Sequence, residues 1–383
     1  MAKTPLAVVV IPTYNEAGTI GKMIDTLCRE IFPKIKDWDC KLLVVDDTSP
    51  DGTYKIVAKK QSRYSNLELL INPTKGGIGN AYVKGFRFAT EVLKADVVIE
   101  FDADFQHPPK DIPVLLREIK KGNDYVLGSR KIKGGSNPRG WGFKRVFFSE
   151  MGGLVARFIL FFPGKNFFKI TDPTTGLKAS RVKGFVDSMD MDHLYSRSFG
   201  YKLEFLYQMV SLGAKVKEIP LRFGLRAKGE SKIEPQTAKD VFRSAFLLRW
   251  HDPTTRKFFK FGTVGFIGYL VNAIGLSIFF NLTQTEWLAW LISTELAIIS
   301  NFTWNNLWTF KSEKFNGVVT IIKKFLQFNL TSAGALLIQT ITGAGLVALT
   351  HLDRQILLPF IIVLLVLPYN WLMYNLVIWK KKS

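Results

Sequence analysis

Short apolar runs alternate with stretches of helical spacing along the first 230 residues of the chain. Apolar runs bounded by turn residues are typical of buried strands, and apolar residues repeated every three to four positions are typical of helices. The strand–helix alternation predicts a mostly parallel sheet covered on both faces, which is an α/β fold. The pattern predicts strands at Leu6–Ile11, Lys41–Val45, Leu67–Ile71, Val97–Phe101 and Tyr125–Leu127, and helices at Thr19–Arg29, Gly52–Ser62, Gly79–Leu93 and Ile112–Lys120.

Four long apolar segments follow in the last third of the chain, at about 258–280, 287–310, 321–350 and 356–379. A helix of about 20 residues crosses a hydrocarbon core of about 30 Å, and each segment is long enough for that. The sequence therefore predicts a domain at 1–230, an amphipathic linker helix at 231–256, and an all-α domain of four transmembrane helices at 257–383.

The charges of the loops indicate how the predicted transmembrane helices are oriented. Lys311 and Lys314 lie between the second and third segments, Lys323 and Lys324 lie at the start of the third, and three lysines precede the last residue, Ser383. Loops rich in lysine and arginine stay on the cytoplasmic side. We therefore expect an integral membrane protein with both termini and the N-terminal domain in the cytoplasm.

The chain of 383 residues is strongly basic, with 52 Lys and Arg against 32 Asp and Glu and a net charge of +20. A basic domain attached to a membrane favours anionic lipid headgroups and phosphorylated substrates over nucleic acid. We therefore expect membrane lipids, and no nucleic acid, among its partners. The two cysteines, Cys28 and Cys40, form neither a disulfide framework nor a metal-binding spacing.

The segment DADFQ, from Asp102 to Gln106, directly follows a predicted buried strand. Side chains alternate along an extended chain, so Asp102 and Asp104 are expected to point to the same side. Paired carboxylates suit Mg2+ or Mn2+, and Mg2+ commonly binds one or two carboxylates together with substrate phosphates. The alternative interpretation is a polar turn with solvated side chains.

Polar residues also follow the first and second predicted strands, as PTYNE at 12–16 and DDTSPDGT at 46–53. The carboxyl ends of the strands form the edge where ligands bind in α/β folds. No P-loop sequence occurs, and Tyr82 stands where a dinucleotide fingerprint beginning at Gly77 and Gly79 needs its third glycine. P-loop ATPases and Rossmann dinucleotide sites are therefore disfavoured.

Five motifs in order resemble those of the family 2 glycosyltransferases with the GT-A fold: VVVIPTYNE, VVDDTSPDGT, DADFQHPP, GSR at 128–130 and RAKGESK at 226–232. The likeness is strongest to polyprenyl-phosphate (dolichol-phosphate) mannose synthases and covers about residues 6–250. The segment NFTWNNLWTF at 301–310 resembles GtrA-like four-helix membrane domains. The resemblance implies an α/β GT-A domain with a Rossmann-like mixed sheet, followed by an all-α membrane domain.

The resemblance also implies a donor site. Asp102, Asp104 and Gln106 would hold Mg2+ or Mn2+, and Arg226 and Lys232 would lie on a loop that closes over the donor. The implied catalytic residues are Asp104, Arg130, Arg226 and Lys232. The residues expected to contact the nucleotide sugar are Pro12, Tyr14, Glu16, Val44, Asp46, Asp102, Ala103, Asp104, Gln106, Arg226 and Lys232.

A second group of residues is expected at the acceptor. Arg145 and Ser149 precede the apolar stretch Met151–Phe162, which indicates an interfacial helix lying on the membrane. We expect Arg130, Arg145 and Ser149 to bind the phosphate of a lipid acceptor, although Arg145 also fits a solvated helix face or a headgroup contact. The resemblance implies that Asp172 faces the sugar or organises the site, and the alternative interpretation is a turn residue.

The reaction implied by the resemblance is transfer of mannose from GDP-mannose to polyprenyl (dolichyl) phosphate, with inversion to a β-linked product at the cytoplasmic face. A phosphate is already anionic at neutral pH, so it needs no general base to activate it. A glucosyl version that uses UDP-glucose is a near alternative, because related enzymes share the motifs. An alternative of another class is a transporter of lipid-linked sugars with the N-terminal domain as a sensor.

Overall fold

The computed structural model describes residues 4–138, 140–225, 235–352 and 354–380. The chain divides into two compact units, Met1–Arg249 and Trp250–Ser383. A helix at Pro235–His251 runs across this division. The predicted limits of the linker, residues 231–256, therefore stay a prediction.

Seven strands form one mixed sheet in the first unit. The strands are β1 (Leu6–Thr13), β2 (Asp39–Asp46), β3 (Leu67–Ile71), β4 (Val97–Glu100), β5 (Tyr125–Ser129), β6 (Lys178–Arg181) and β7 (Val216–Pro220). Their order in the sheet is β3-β2-β1-β4-β6-β5-β7. β1 pairs in parallel with β2 and β4, β2 with β3, and β5 with β7, whereas β6 is antiparallel to β4 and β5. The parallel part brings the carboxyl ends of β1, β2 and β4 to the same edge of the sheet.

Helices connect the strands and cover the sheet. The helices are α1 (Ile20–Asp25), α2 (Thr53–Gln61), α3 (Ile78–Arg87), α4 (Ile112–Lys120), α5 (Phe143–Phe161), α6 (Asn166–Lys169), α7 (Tyr201–Ser211) and α8 (Pro235–His251). α1 and α3 continue as π-helical turns at Thr26–Ile31 and Phe88–Val92. Short 3-10 turns occur at Phe32–Lys34, Pro109–Asp111 and Val186–Ser188.

The structure confirms the predicted α/β fold, and every predicted strand and helix of the first unit is present with ends shifted by a few residues. The hydrophobic pattern predicts neither β6 nor β7. β6 has the sequence Lys-Ala-Ser-Arg, with one apolar residue, and in β7 only Ile219 is buried. Because β6 is antiparallel to both neighbours, the sheet is mixed, as the family resemblance implies.

Two apolar cores lie on opposite faces of the sheet, and β1 contributes alternate residues to each. Val9 and Ile11 pack in the core that contains side chains of α1, α2 and α4. Val8 and Val10 pack in the core that contains side chains of α3, α5, α7 and α8. A strand covered on both faces needs a continuous apolar run, which is why β1 was recognisable as Val-Val-Val-Ile.

A charged network is buried where β4 meets β6. Lys178 Nζ lies 3.7 Å from Glu100 Oε1 and donates to the carbonyl of Lys202 at 3.0 Å. The Tyr201 hydroxyl donates to Glu100 Oε2 at 2.6 Å. Burial raises the pKa of Glu100 and lowers the pKa of Lys178 to about 8, and each residue partly offsets the shift of the other. Buried charges are tolerated when they are paired and hydrogen-bonded. Glu100 and Lys178 are paired and each makes a hydrogen bond, while Glu100 Oε1 has only the ion pair with Lys178.

Helices occupy all four predicted apolar segments of the second unit. Among the described residues, one helix is long and apolar enough to cross a membrane by itself, Pro253–Thr283. That the other three segments also cross a membrane stays a prediction. The helices are α9 (Pro253–Thr283), α10 (Glu286–Trp304), α11 (Val318–Thr350), α12 (Arg354–Ile361) and α13 (Leu367–Met373), with π-helical turns at Asn305–Thr309, Ile362–Val366 and Tyr374–Ile378 and a 3-10 turn at Lys311–Glu313.

An aromatic cluster joins the ends of two of these helical segments. The rings of Phe310 and Trp379 stack with centroids 4.5 Å apart. Trp379 Nε1 donates to Asn306 Oδ1 at 3.2 Å. Lys257 Nζ lies over the Phe310 ring and forms an ion pair with Glu313 at 3.1 Å. The segment that resembles GtrA-like domains, 301–310, thus supplies packing residues of this unit.

We predict that Tyr201→Phe destabilises the protein by about 1–3 kcal/mol, because the fully buried Glu100 carboxylate loses its short hydrogen bond. Thermal unfolding of the full-length protein in detergent measures the change. Tyr64→Phe is the matched control, since the Tyr64 hydroxyl also donates to a carboxylate, that of Asp25, at 2.7 Å but is only partly buried. Equal midpoints for Tyr201→Phe and the wild type would contradict the structural role of this network.

Candidate active site

The segments that follow β1 and β2 are tied to each other by hydrogen bonds. The Thr13 hydroxyl donates to Asp46 Oδ2 at 2.8 Å. The backbone N–H of Asn15 donates to Ser49 Oγ, and that of Glu16 donates to Thr53 Oγ1, both at 3.0 Å. The polar segments at 12–16 and 46–53 therefore form one surface at the edge of the sheet, as the parallel pairing of their strands requires.

Two of the predicted donor-site residues are fully buried. The Asp46 carboxylate accepts hydrogen bonds from Thr13, from the Ser49 hydroxyl at 2.7 Å and from the Ser49 backbone at 2.8 Å. The Val44 side chain packs in the apolar core. In this structure Asp46 fixes the shape of the loop, and Val44 supports the strand beneath it.

The other predicted residues of the first segment are partly exposed. Pro12, Tyr14 and Glu16 are all of intermediate burial. Lys75 Nζ lies 3.9 Å from the centroid of the Tyr14 ring. The Glu16 carboxylate accepts a hydrogen bond from Thr19 at 3.1 Å. An aromatic ring, a cation and a carboxylate are thus available beside one another on this surface.

The segment after β4 presents oxygen atoms on a single turn. The Asp104 side chain is buried, and its Oδ1 accepts the Gln106 backbone N–H at 3.0 Å. Asp102 is partly open, with 26% of its side chain exposed. Gln106 Nε2 donates to the Gly224 carbonyl at 3.2 Å, which leaves the amide oxygen to act as a ligand. Ala103, between the two aspartates in the sequence, is buried and packs in the core.

This turn fits a divalent cation that is bound together with a substrate. Carboxylate and amide oxygens are the hard ligands that Mg2+ and Mn2+ prefer. Within the described ranges, no group of three or more His, Cys, Asp or Glu side chains is arranged to hold a metal ion. Asp102, Asp104 and Gln106 would therefore need oxygens from a substrate diphosphate or water to complete the coordination.

Buried groups lie behind Asp102. The Tyr82 hydroxyl donates to Asp102 Oδ1 at 3.3 Å, and His107 Nδ1 lies 3.4 Å from Oδ2 without the alignment of a hydrogen bond. Lys202 Nζ, His107 Cε1 and Asp102 Oδ2 all lie within 3.2 Å of the position that a Cβ on Gly176 would occupy. Burial lowers the pKa of His107, which is 1% exposed.

Lys202 and His107 were not predicted as site residues. A signal for Lys202 does exist in the sequence, because Lys202 and Glu204 interrupt the apolar start of α7 and both are buried. His107 precedes Pro108 and Pro109, a pattern that predicts a loop position and gives no sign of burial. The aromatic contacts of His107 with Phe101 and Phe223 explain its burial, and no local pattern encodes them.

Arg130, at the end of β5, forms a bidentate ion pair with Asp172. Arg130 Nε donates to Asp172 Oδ2 at 2.6 Å, and a terminal nitrogen donates to Oδ1 at 2.7 Å. Burial opposes ionisation of both groups, but the attraction between them outweighs it. The pKa of Asp172 is therefore lowered and the pKa of Arg130 is raised. Asp172 is more than a turn residue, since it holds the arginine in place.

The predicted acceptor residues lie near one another. Arg130 Nη1 approaches Ser149 Oγ at 3.4 Å, and Ser149 lies on α5. Arg145, one turn earlier on α5, lies over the Trp141 ring with Cζ 4.2 Å from the ring centroid. α5 and the turn after it expose many large apolar side chains, namely Phe143, Phe147, Phe148, Met151, Leu154, Val155, Phe158 and Phe162.

Two predicted residues, Arg226 and Lys232, lie outside the described residues. The described chain approaches them through Phe223 and Gly224, and the Gly224 backbone N–H donates to the Gln106 carbonyl at 2.8 Å. Gly224, the last but one described residue before them, is therefore anchored to the turn that carries Asp104 and Gln106.

Two family models match this chain. The first, "Glycosyl transferase family 2", matches residues 8–185, and the second, "GtrA/DPMS, transmembrane domain", matches residues 260–379. The first range contains Asp102, Asp104, Arg130 and Asp172. The second contains most of the four apolar segments and shows that this is a membrane protein.

Solved structures that match part of this chain include a glucosyl-3-phosphoglycerate synthase from Mycobacterium tuberculosis. It is 17% identical at a TM-score of 0.47, over 64% of this chain and 80% of its own. A mannosyltransferase from Pyrobaculum calidifontis, solved with GDP-Man and Mn2+, is 16% identical at a TM-score of 0.39, over 80% of this chain and 88% of its own.

Characterised relatives share more of the sequence. A dolichol-phosphate mannosyltransferase from Pyrococcus furiosus is 33% identical over 83% of this chain and 84% of its own length. An undecaprenyl-phosphate mannosyltransferase from Micrococcus luteus is 34% identical over 63% of this chain and 94% of its own length. The chain therefore belongs to the family of dolichol- and polyprenyl-phosphate mannosyltransferases, with a family 2 glycosyl transferase domain and a GtrA/DPMS transmembrane domain.

Proposed function

We propose that this protein transfers mannose from GDP-mannose to a polyprenyl phosphate, with inversion at the sugar. The observation that carries the proposal is the arrangement of the sheet edge. A turn with two carboxylates, suited to a cation and a diphosphate, lies after β4. A fixed arginine beside Ser149 lies at the end of β5, in a chain that also carries a membrane domain.

The donor would bind across the ends of β1, β2 and β4. Glu16 and Tyr14 would contact the nucleoside, while Asp102, Asp104 and Gln106 would hold Mg2+ or Mn2+ at the diphosphate. When bound, the ion would neutralise negative charge on the leaving diphosphate. We also propose that Arg226 and Lys232 add positive charge to this group as it departs.

The acceptor phosphate would bind at Arg130, Arg145 and Ser149. One of its oxygens attacks C1 of mannose, and the bond between C1 and the diphosphate oxygen breaks as GDP leaves. The attacking oxygen is already anionic, so no proton has to be removed. The protein must instead bring two anions together, and paired arginine donors are suited to that task.

The membrane provides the lipid acceptor. The apolar side chains exposed along α5 fit insertion into the headgroup region, where a polyprenyl phosphate presents its phosphate. The lysines at 311, 314, 323 and 324 support a cytoplasmic position for the catalytic domain and both termini. A cytoplasmic position also matches the site of sugar-nucleotide supply.

We predict that Asp104→Asn lowers turnover roughly 100-fold or more, the scale of losing one electrostatic stabiliser. Asn keeps the oxygen that accepts the Gln106 N–H, so the turn should persist while the charge is lost. Turnover and Mn2+ binding, the latter followed by electron paramagnetic resonance in the presence of GDP, measure the effect. Asp190→Asn is the matched control, because Asp190 also accepts backbone N–H groups in an exposed turn. Wild-type turnover in Asp104→Asn would rule out this role.

We predict that the purified full-length protein, supplied with Mn2+ and a polyprenyl phosphate, uses GDP-mannose in preference to UDP-glucose. Radiolabelled sugar recovered in the lipid fraction measures transfer from each donor. Transfer from UDP-glucose alone would replace the mannose assignment with glucose. Transfer from neither donor would contradict the enzymatic proposal.

A further inference from the structure

A row of aromatic side chains connects the two acceptor arginines to the metal-binding turn. The ring of His107 lies 5.3 Å from that of Phe223, and the ring of Phe223 lies 5.9 Å from that of Trp141 in an edge-on arrangement. Each of the last two rings carries an arginine. Arg130 Cζ lies 5.6 Å from the Phe223 centroid, and Arg145 Cζ lies 4.2 Å from the Trp141 centroid.

An aromatic face is a suitable support for an arginine that binds phosphate. The cation is attracted to the electron-rich face of the ring, most strongly to tryptophan. A guanidinium group that rests on a ring uses its own face for that contact, and its N–H donors lie in the plane, where they can bind phosphate oxygens. Trp141 therefore restricts Arg145 without requiring its hydrogen-bonding edge.

The backbone holds both rings firmly. Trp141 precedes α5, and its N–H donates to the Pro138 carbonyl at 3.1 Å, while Arg145 follows four residues later in the first turn of the helix. The Phe223 N–H donates to the Ser136 carbonyl at 3.1 Å. Trp141 and Phe223 thus connect the segment before α5 to the segment that touches Gln106.

We propose that Trp141 and Phe223 are positioning residues for the acceptor phosphate, because they hold Arg145 and Arg130 at a fixed separation beside the metal-binding turn. The inference rests on the proposed function and extends it to residues outside the predicted site. The contact of Arg145 with Trp141, at 4.2 Å, is shorter than the 5.6 Å contact of Arg130 with Phe223, and tryptophan is the stronger cation–π partner. Substitution of Trp141 is therefore expected to raise the KM for polyprenyl phosphate more than substitution of Phe223.

The test is the kinetics of Trp141→Leu in the full-length protein. Leucine keeps an apolar contact with Phe223 but has no aromatic face. We expect the KM for polyprenyl phosphate to rise roughly three- to tenfold, the size of a cation–π contact, with the KM for GDP-mannose unchanged. Trp141→Phe, which restores an aromatic face, should recover most of the loss. An unchanged acceptor KM in Trp141→Leu would overturn the inference.

A double-mutant cycle shows whether Trp141 acts through Arg145. If it does, Trp141→Leu adds little to the acceptor KM once Arg145→Ala is present, because coupled residues are non-additive. Fully additive effects would overturn the inference. Tyr64→Leu is the matched control, since the Tyr64 ring also carries an arginine, with Arg63 Cζ 5.7 Å from the ring centroid, but lies outside the candidate site. It should leave both KM values unchanged, and a rise in acceptor KM equal to that of Trp141→Leu would overturn the inference.

Binding of farnesyl phosphate, measured by calorimetry on the detergent-solubilised protein, separates this inference from the proposed function. Binding to the wild type that weakens in Trp141→Leu supports the inference independently of turnover. Equal binding by both proteins overturns the inference alone. Absence of binding to the wild type overturns the proposed acceptor site and the inference with it.

Discussion

The ion pair between Arg130 and Asp172 is the interaction on which the acceptor side of the site depends. Both side chains are nearly inaccessible, with 9% and 1% exposed, so neither charge could be left unpaired without a cost of about 3–5 kcal/mol. Asp172 is fixed in turn by Glu218 on β7, which accepts the backbone N–H groups of Thr171 and Asp172 at 2.7 and 3.1 Å. The end of β5, the segment before β6 and the middle of β7 thus determine where one guanidinium group points.

The same principle of fixed charge applies on the donor side. Asp104 accepts a hydrogen bond from the backbone of its own turn, and Asp102 accepts one from the Tyr82 hydroxyl. Glu100, Lys178 and Tyr201 form the buried network in the neighbouring core. A site that must accept two anionic substrates gains from cations and ligands that are oriented before binding, because little reorganisation is then needed during the reaction. The mixed sheet provides this orientation before binding, since paired charges lie along its edge.

The residues that could be predicted from the sequence are those whose signal is local. β1 appears as a continuous apolar run, and the carboxylates of DADFQ follow β4 directly. β6 could not be predicted because the burial of its Lys178 depends on the ion pair with Glu100, which lies 78 positions earlier. Trp141 and Phe223 escaped for the same reason, since their partners come together only in the folded chain. Asp46 is expected to contact the nucleotide, and that contact stays a prediction; what the sequence did not reveal is that the Asp46 carboxylate accepts three hydrogen bonds from Thr13 and Ser49.

The most direct test of this account is the acceptor affinity of Arg130→Lys in the full-length protein. Lysine keeps the positive charge opposite Asp172, so the fold should persist, but it cannot form the paired contacts of a guanidinium group. The account predicts that the KM for polyprenyl phosphate rises by the equivalent of about 2 kcal/mol, the value of a charged hydrogen bond, which is roughly thirtyfold, while the KM for the sugar nucleotide stays constant. An unchanged acceptor KM, or a rise confined to the sugar nucleotide, would contradict it.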